Sequence, residues 1–468
     1  DEVISLQEYL TYLISKGWID ITKLSLESQY SDSEEIYARL IDYIDENLIK
    51  DSYFNKRLYK YMLLDDQITG AQVCMLLFEQ NIIDGTDEEK QAVQSGSKSA
   101  YSFMLEKIEN LDITPAQLAL DPCSGSCVVT DTRTGEVLAL VTYPGYDNNR
   151  LTNSIDSDYY NKIYYDLSQP MWNYATQQLS APGSTFKMVS AATALENNVV
   201  GLNETITCKG TWDTLSPPAR CWIAPNGSHG PLDISGAIEH SCNYFFYEVG
   251  YRLSRNNGVY DSDTGLEKLA YYADQFGLSD KSGVEISESA PKVSDFDAIR
   301  SAIGQGTNNY STVGLARYVT TVANSGNCYN LSLLSKATDA DGNLIADYTP
   351  TLRNTVDLKQ STWDAIHQGM RKVVEDKDYY KDLTIQVAGK TGTAQENRKR
   401  ANHALFVCYA PYEQPQIAIA TRIAFGYASD YAAQVTKDIV KYYFKLEDES
   451  SLITGTAEST NVVQSAGD

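Results

Sequence analysis

Basic residues are the scarce class in this chain of 468 residues, where 38 Lys and Arg face 62 Asp and Glu for a formal charge of −24. So acidic a surface repels phosphate backbones, and nucleic acid is excluded as an expected partner. Histidine is rarer still: His229, His240, His367 and His403 are scattered, and none of the eight cysteines forms a C-x-x-C pair. Without soft ligands at finger-like spacing no zinc site is expected. Cys208 and Cys221 flank a loop containing Pro217 and Pro218, so they are candidates for a disulfide in an oxidising compartment; Cys123 and Cys127 are a second pair. Small buried thiols are the alternative for both. No apolar run reaches the roughly 18 residues that a membrane-spanning helix needs. The chain opens at Asp1 with neither initiator Met nor signal peptide, which suggests a fragment or trimmed chain whose anchor, if any, has been removed. A G-x-S-x-G elbow is also missing, which argues against a Ser-His-Asp hydrolase.

What is present divides the chain. Its length predicts two or three domains. Residues 1–117 read as helices without evident chemistry, a pedestal or partner-binding region. Ser5 and Glu8 make a capping box ahead of Leu6, Tyr9, Leu10, Leu13 and Ile14 at helical spacing. Ile36, Leu40, Ile41, Ile44 and Leu48 repeat the pattern, and Val73, Leu76 and Leu77 mark a third stretch. Thr114-Pro115 predicts one more short helix. Beyond Asp121 the texture changes. Residues 127–131 and 136–141 predict a hairpin closed by Thr132-Arg133-Thr134-Gly135, and residues 404–408 and 416–420 predict another, broken at Pro411. Helices are expected around 185–198, 237–253, 312–325 and 429–444. Sheet at both ends with helices between implies an α+β domain over 118–447 whose terminal strands share one sheet. A polar tail, 448–468, is expected to be disordered, with Val462-Val463 able to dock locally.

The chemistry sits in three short motifs. Ser184-Thr185-Phe186-Lys187 follows Pro182-Gly183 and opens a helix carrying Met188, Ala191, Ala192 and Leu195, apolar enough on all sides to be buried. Ser184 would stand at the helix N-terminus, where free N–H groups favour developing negative charge. Lys187, three residues on, shares its face; a buried lysine is shifted toward the neutral amine that can accept a serine proton. Ser95-Gly96-Ser97-Lys98 and Ser289-Ala290-Pro291-Lys292 share the spacing, but one lies in a polar Gly/Ser loop and the other has Pro in the turn. Lys390-Thr391-Gly392-Thr393 follows a predicted strand, 384–389, and offers a cation, hydroxyls and close backbone approach to a peptide carboxylate. Lys390 would also help keep Lys187 neutral. Ser241-Cys242-Asn243 precedes the apolar run Tyr244–Val249, whereas the rival S-x-N segments at Ser254 and Ser325 sit beside polar, Gly-containing stretches. Ser241 could relay a proton and Asn243 hold a substrate amide, with a plain helix cap as the alternative.

S-x-x-K, S-x-N and K-T-G in this order form the motif set of penicillin-binding proteins and serine β-lactamases. The wider wording resembles class B penicillin-binding proteins, the monofunctional peptidoglycan transpeptidases, across about residues 120–445. The resemblance rests on Thr134-Gly135-Glu136-Val137-Leu138-Ala139, Tyr143-Pro144-Gly145-Tyr146-Asp147, Ala181–Lys187, His229-Gly230, Ile303-Gly304-Gln305-Gly306 and Lys390–Ala394. Tyr174 and Ser311-Thr312-Val313-Gly314 depart from the usual wording, outside any chemical role. The resemblance implies a penicillin-recognising α+β fold. It also implies Ser184, Lys187, Ser241 and Lys390 as catalytic, with Asn243, Thr391, Gly392 and Thr393 binding substrate. Backbone N–H groups of Ser184 and Thr393 would form the oxyanion hole, and the resemblance implies no metal or organic cofactor. Implied partners are stem peptides and lipid-linked precursor strands, β-lactams, and a membrane-embedded glycosyltransferase. The implied location is the extracytoplasmic membrane face, with the anchor outside this chain. A β-lactam sensor without turnover, or a D,D-carboxypeptidase or β-lactamase, would carry the same motifs.

Overall fold

A computed structural model describes residues 4–452, apart from 25–31, 84, 111, 114, 119, 122, 215 and 397–399. The chain divides into two compact units, Asp1–Ile113 and Thr114–Asp468. In the first, helices span Leu6–Ser15, Ser33–Leu48, Ser52–Leu64, Gly70–Glu79, Asp87–Gln94 and Ala100–Glu109. The capping box at Ser5 forms as predicted: Ser5 N donates to Glu8 Oε2 at 2.8 Å and Glu8 N to Ser5 Oγ at 3.2 Å. Burial here is slight, with Leu10, Leu24 and Leu40 in one small cluster and Phe78 against Phe103 in another place, ring centroids 5.5 Å apart.

In the second unit, β1 (Gly125–Asp131) and β2 (Val137–Tyr143) form the predicted hairpin. Far along the chain, β3 (Ala388–Ala394), β4 (His403–Ala410) and β5 (Ile417–Ile423) complete an antiparallel sheet in the order β3-β4-β5-β1-β2. The terminal strands therefore share one sheet, with Val129 opposite Ile419. Side chains alternate between its faces. Leu405, Val407 and Tyr409 join the core of helix α4 (Thr312–Ala323), while Phe406, Cys408 and Ala410 pack on Ala432, Ala433 and Val440 of helix α5 (Ser429–Tyr443). With both faces covered, every residue of β4 is buried, which is why the strand reads as an unbroken apolar run. On the α4 side lie α1 (Lys187–Glu196), α2 (Ile234–Glu239) and α3 (Asn243–Leu253).

Four segments differ from the expectation. The helix foreseen over 237–253 is two helices, α2 and α3, parted at Ser241, whose φ is 49°. The strand foreseen from Thr384 begins at Ala388, so Lys390 lies inside β3 and not after a strand. Ala388 pairs with Tyr409, and just past Ala410 the partner strand meets Pro411, which has no N–H to extend the ladder. Residues 115–118 make a turn where a helix was expected, and Thr114 lies outside the described residues. Glu449–Leu452 forms one more helical turn in the foreseen tail; residues 453–468, with Val462-Val463, lie outside the described residues.

Candidate active site

Pro182 and Gly183 bend the chain into a 3-10 turn, Gly183–Phe186, that runs straight into α1. Gly183 has φ 52°, and a Cβ there would fall 2.5 Å from Thr393 O. Only glycine combines that conformation with so close a strand. The strand matches it at Gly392, where a Cβ would meet Thr185 Cγ2 at 2.7 Å and Pro182 O at 2.9 Å. Two bare backbones thus seal the turn carrying Ser184 against the strand carrying Lys390. From behind, Gly183 N donates to Gly304 O at 3.1 Å, which gives the Ile303–Gly306 segment its place.

Lys187 is the hub. Its side chain is fully buried and Ser184 is 7% exposed. Lys187 Nζ lies 3.0 Å from Ser184 Oγ, 3.1 Å from Ser241 Oγ, 2.8 Å from Ser241 O and 2.7 Å from Asn243 Oδ1. An ammonium has three N–H groups, fewer than the four oxygens around it. A neutral amine has a lone pair, and either hydroxyl can turn and donate to it. The left-handed conformation of Ser241 is costly for a side-chain-bearing residue; it turns both the carbonyl and the hydroxyl of that residue toward the amine. Asn243 then starts α3, with Cys242 as its N-cap.

On β3, Lys390 and Thr391 are buried, and Lys390 Nζ lies 3.1 Å from Thr391 O and 3.4 Å from Thr391 Oγ1. Thr393 is partly exposed. S-x-x-K and S-x-N therefore meet at one amine, and the K-T-G strand packs beside the serine turn. The rival motifs go elsewhere: Lys98 pairs with Glu106 on the surface, and Lys292 pairs with Asp295 while Ser289 donates to Gln177 O. Both departures from family wording serve structure. Ser311 caps α4 by accepting from Gly314 N, and Tyr174 donates its hydroxyl to Ser168 O.

The expectation of no zinc site needs correction. Cys208, Cys221, His229 and Cys242 place one ligand atom each within 4.8 Å of all the others. Cys221 Sγ is 4.0 Å from Cys242 Sγ and 3.6 Å from His229 Nδ1. A tetrahedron built on Zn–S bonds of about 2.3 Å has edges of roughly 3.8 Å, so the Cys3His set fits Zn²⁺. No local spacing announces it, because four segments contribute. Cys208 ends a short strand, Ile206–Cys208, that pairs with Gly230 and so brings His229 alongside. Cys221 N donates to Gly210 O, and Cys242 comes with the break before α3. Hydrogen bonding from Cys242 holds the Cys208 and Cys221 thiols below their ordinary range, and the same bonds push Cys242 up. Burial alone would lower His229, but its contacts with Cys221 and Cys208 raise it. Neither candidate disulfide is formed; all eight cysteines are free thiols, seven of them buried and Cys123 partly so.

The chain matches the penicillin binding protein transpeptidase domain over residues 125–441 and belongs to that family. A peptidoglycan D,D-transpeptidase MrdA of Haemophilus influenzae is 30% identical over 362 residues, covering 69% of this chain and 53% of that protein. The chain thus spans about half the length of that relative. Pseudomonas aeruginosa PBP2, solved in complex with WCK 5153, is 25% identical with a TM-score of 0.59, covering 74% of this chain and 78% of that one. Penicillin-binding protein A of Mycobacterium tuberculosis, solved as an imipenem acyl-enzyme complex, shares the fold at 21% identity, with a TM-score of 0.61 and coverages of 77% and 87%.

Proposed function

We propose that this chain is a serine D,D-transpeptidase that cross-links peptidoglycan stem peptides through an acyl-enzyme on Ser184. The contact that carries the proposal is Lys187 Nζ at 3.0 Å from Ser184 Oγ inside a buried cluster. Ser184 Oγ attacks the penultimate D-Ala carbonyl while Lys187 takes its proton. Backbone N–H groups of Ser184 and Thr393 receive the oxyanion. Ser241, also against Lys187, relays the proton to the departing D-Ala amine. Lys390, Thr391 and Thr393 hold the terminal carboxylate, Gly392 lets the strand approach, and Asn243 binds a substrate amide. An amine from a neighbouring stem peptide then displaces Ser184, with the proton returned along the same path. A β-lactam, whose strained amide mimics the dipeptide, acylates the same oxygen.

Zn²⁺ in the Cys3His site would supply a structural cross-link, since four protein donors leave no open coordination position. Cys242 lies between Ser241 and Asn243, so this link would steady both. We further propose that the domain works on the extracytoplasmic membrane face beside a membrane-embedded glycosyltransferase that supplies nascent strands. Mass spectrometry of the intact chain after benzylpenicillin, with peptide mapping and a Ser184→Ala control, tests the reaction class. A single adduct confined to the peptide containing Ser184 supports it; no adduct, or one that persists in Ser184→Ala, defeats it.

A further inference from the structure

The proposed acyl chemistry uses none of the eight thiols, yet three of them converge beside it. Cys208, Cys221 and Cys242 are each at most 1% exposed, and their sulfurs lie within 4.8 Å of one another and of a His229 ring nitrogen. Cys221 Sγ and Cys242 Sγ are 4.0 Å apart. The cluster lies just beneath the surface: His229 and Trp222 are half-buried, and the loop 225–228 leading into His229 is exposed throughout. Cys242 is also tied to the reaction site through the backbone. Its Sγ caps α3 by accepting from Phe245 N at 3.5 Å. Its two neighbours both meet Lys187 Nζ, Ser241 through O at 2.8 Å and Asn243 through Oδ1 at 2.7 Å. A displacement of Cys242 therefore reaches the amine from both sides.

We propose that this cluster is a redox modification site, at which a peroxide joins Cys221 to Cys242 in a disulfide and thereby switches off acylation of Ser184. Cys221 Sγ attacks one peroxide oxygen, the O–O bond breaks, and hydroxide leaves as water with the thiol proton, so that Cys221 becomes a sulfenic acid. Cys242 Sγ then displaces that hydroxyl, which takes the Cys242 proton and leaves as a second water. Two thiols and one H2O2 thus give one S–S bond and two waters; sulfur gives up two electrons and the peroxide accepts them. Where the sulfurs hold Zn²⁺ they are already thiolates, the nucleophilic form. Two protons then come from solvent, and the ion departs because only Cys208 and His229 remain to hold it. An S–S bond is about 2.05 Å long, so a pair 4.0 Å apart closes by roughly 2 Å, about 1 Å on each side. Misplacing catalytic groups by about 1 Å slows a reaction on the order of 100-fold. The proposed extracytoplasmic location is a compartment in which thiols meet oxidants. The inference rests on the proposed reaction for its consequence, and on the thiol geometry alone for the disulfide.

The test treats the full chain, purified without chelator, with hydrogen peroxide. Non-reducing peptide mapping by mass spectrometry reads the disulfide, a colorimetric chelator reads released zinc, and a fluorescent penicillin reads acylation. A Cys221–Cys242 disulfide is expected, with acylation slowed about 100-fold and restored by dithiothreitol and added zinc. Cys242→Ser keeps a good helix cap, and whatever its starting rate, peroxide should no longer lower it. Cys123→Ser, which removes the half-buried cysteine outside the cluster, should respond as wild type does. Should Cys242→Ser fail to fold, the disulfide map and the recovery by reductant in wild type still decide. Three results overturn the proposal: sulfurs oxidised singly without a disulfide, a Cys208–Cys221 disulfide, or a Cys221–Cys242 disulfide that leaves acylation within about threefold of the untreated chain. Equal loss of acylation in Cys242→Ser overturns it as well. An untreated chain that penicillin does not label defeats the proposed reaction instead, since the disulfide map reads the thiols without it.

Discussion

Lys187→Met removes the amine and keeps an unbranched chain of similar volume at a fully buried position. Four oxygens lose their partner, at 3.0 Å (Ser184 Oγ), 3.1 Å (Ser241 Oγ), 2.8 Å (Ser241 O) and 2.7 Å (Asn243 Oδ1). Asn243 is partly exposed and regains water, and both hydroxyls can rotate. Ser241 O is left facing a thioether, at about 1–3 kcal/mol for a buried unpaired acceptor. In a unit of this size that lowers the thermal midpoint by a few degrees, at roughly 2–4 °C per kcal/mol. Chemistry suffers far more. Loss of a positioned general base slows reaction by about 100- to 10,000-fold, which is roughly 3–5 kcal/mol of barrier. The assay is stopped-flow acylation by a fluorescent penicillin at 25 °C, read beside a thermal melt of the same preparation. A large rate loss with a small stability loss is expected. Acylation within about threefold of wild type, in a protein that still melts cooperatively, would refute Lys187 as the proton acceptor.

The remaining expectations concern packing, metal and pH. Gly392→Ala should push β3 off the serine turn, costing about 1–3 kcal/mol of stability and slowing acylation more than a surface Gly→Ala control; unchanged labelling would show that the seam tolerates a methyl. The chain purified without chelator should carry one zinc per molecule, and Cys208→Ser should lose it with a lowered thermal midpoint and slower acylation; a metal-free wild type with full stability would leave the Cys3His cluster as thiols only. His367 and His403 are both held below the ordinary histidine range, chiefly by burial, with Arg422 adding to the effect at His403. Each is neutral in the fold, so the unfolded chain binds more protons once pH falls below about 6.5. Stability should be full above that value and decline as pH drops from it toward the folded pKa, with His367→Gln flattening the slope; a midpoint constant from pH 7.5 to 5 would contradict this.

Much of the active-site chemistry could be read from local sequence because it is local in cause. A serine and lysine three residues apart on a helix share a face whatever surrounds them, and the apolar continuation after Lys187 specified burial. The hairpins and the helices Thr312–Ala323 and Ser429–Tyr443 followed from periodicity and turn residues in the same way. Tertiary structure decided the rest. The start of β3 depends on where its partner reaches Pro411, and the break at Ser241 on an amine brought from another helix. Gly183 and Gly392 acquire their meaning only when the two backbones meet. The Cys3His cluster lies at the far end of that scale: its donors come from four segments, and pairwise spacing carries no trace of a convergence made by one short strand pair and one helix break.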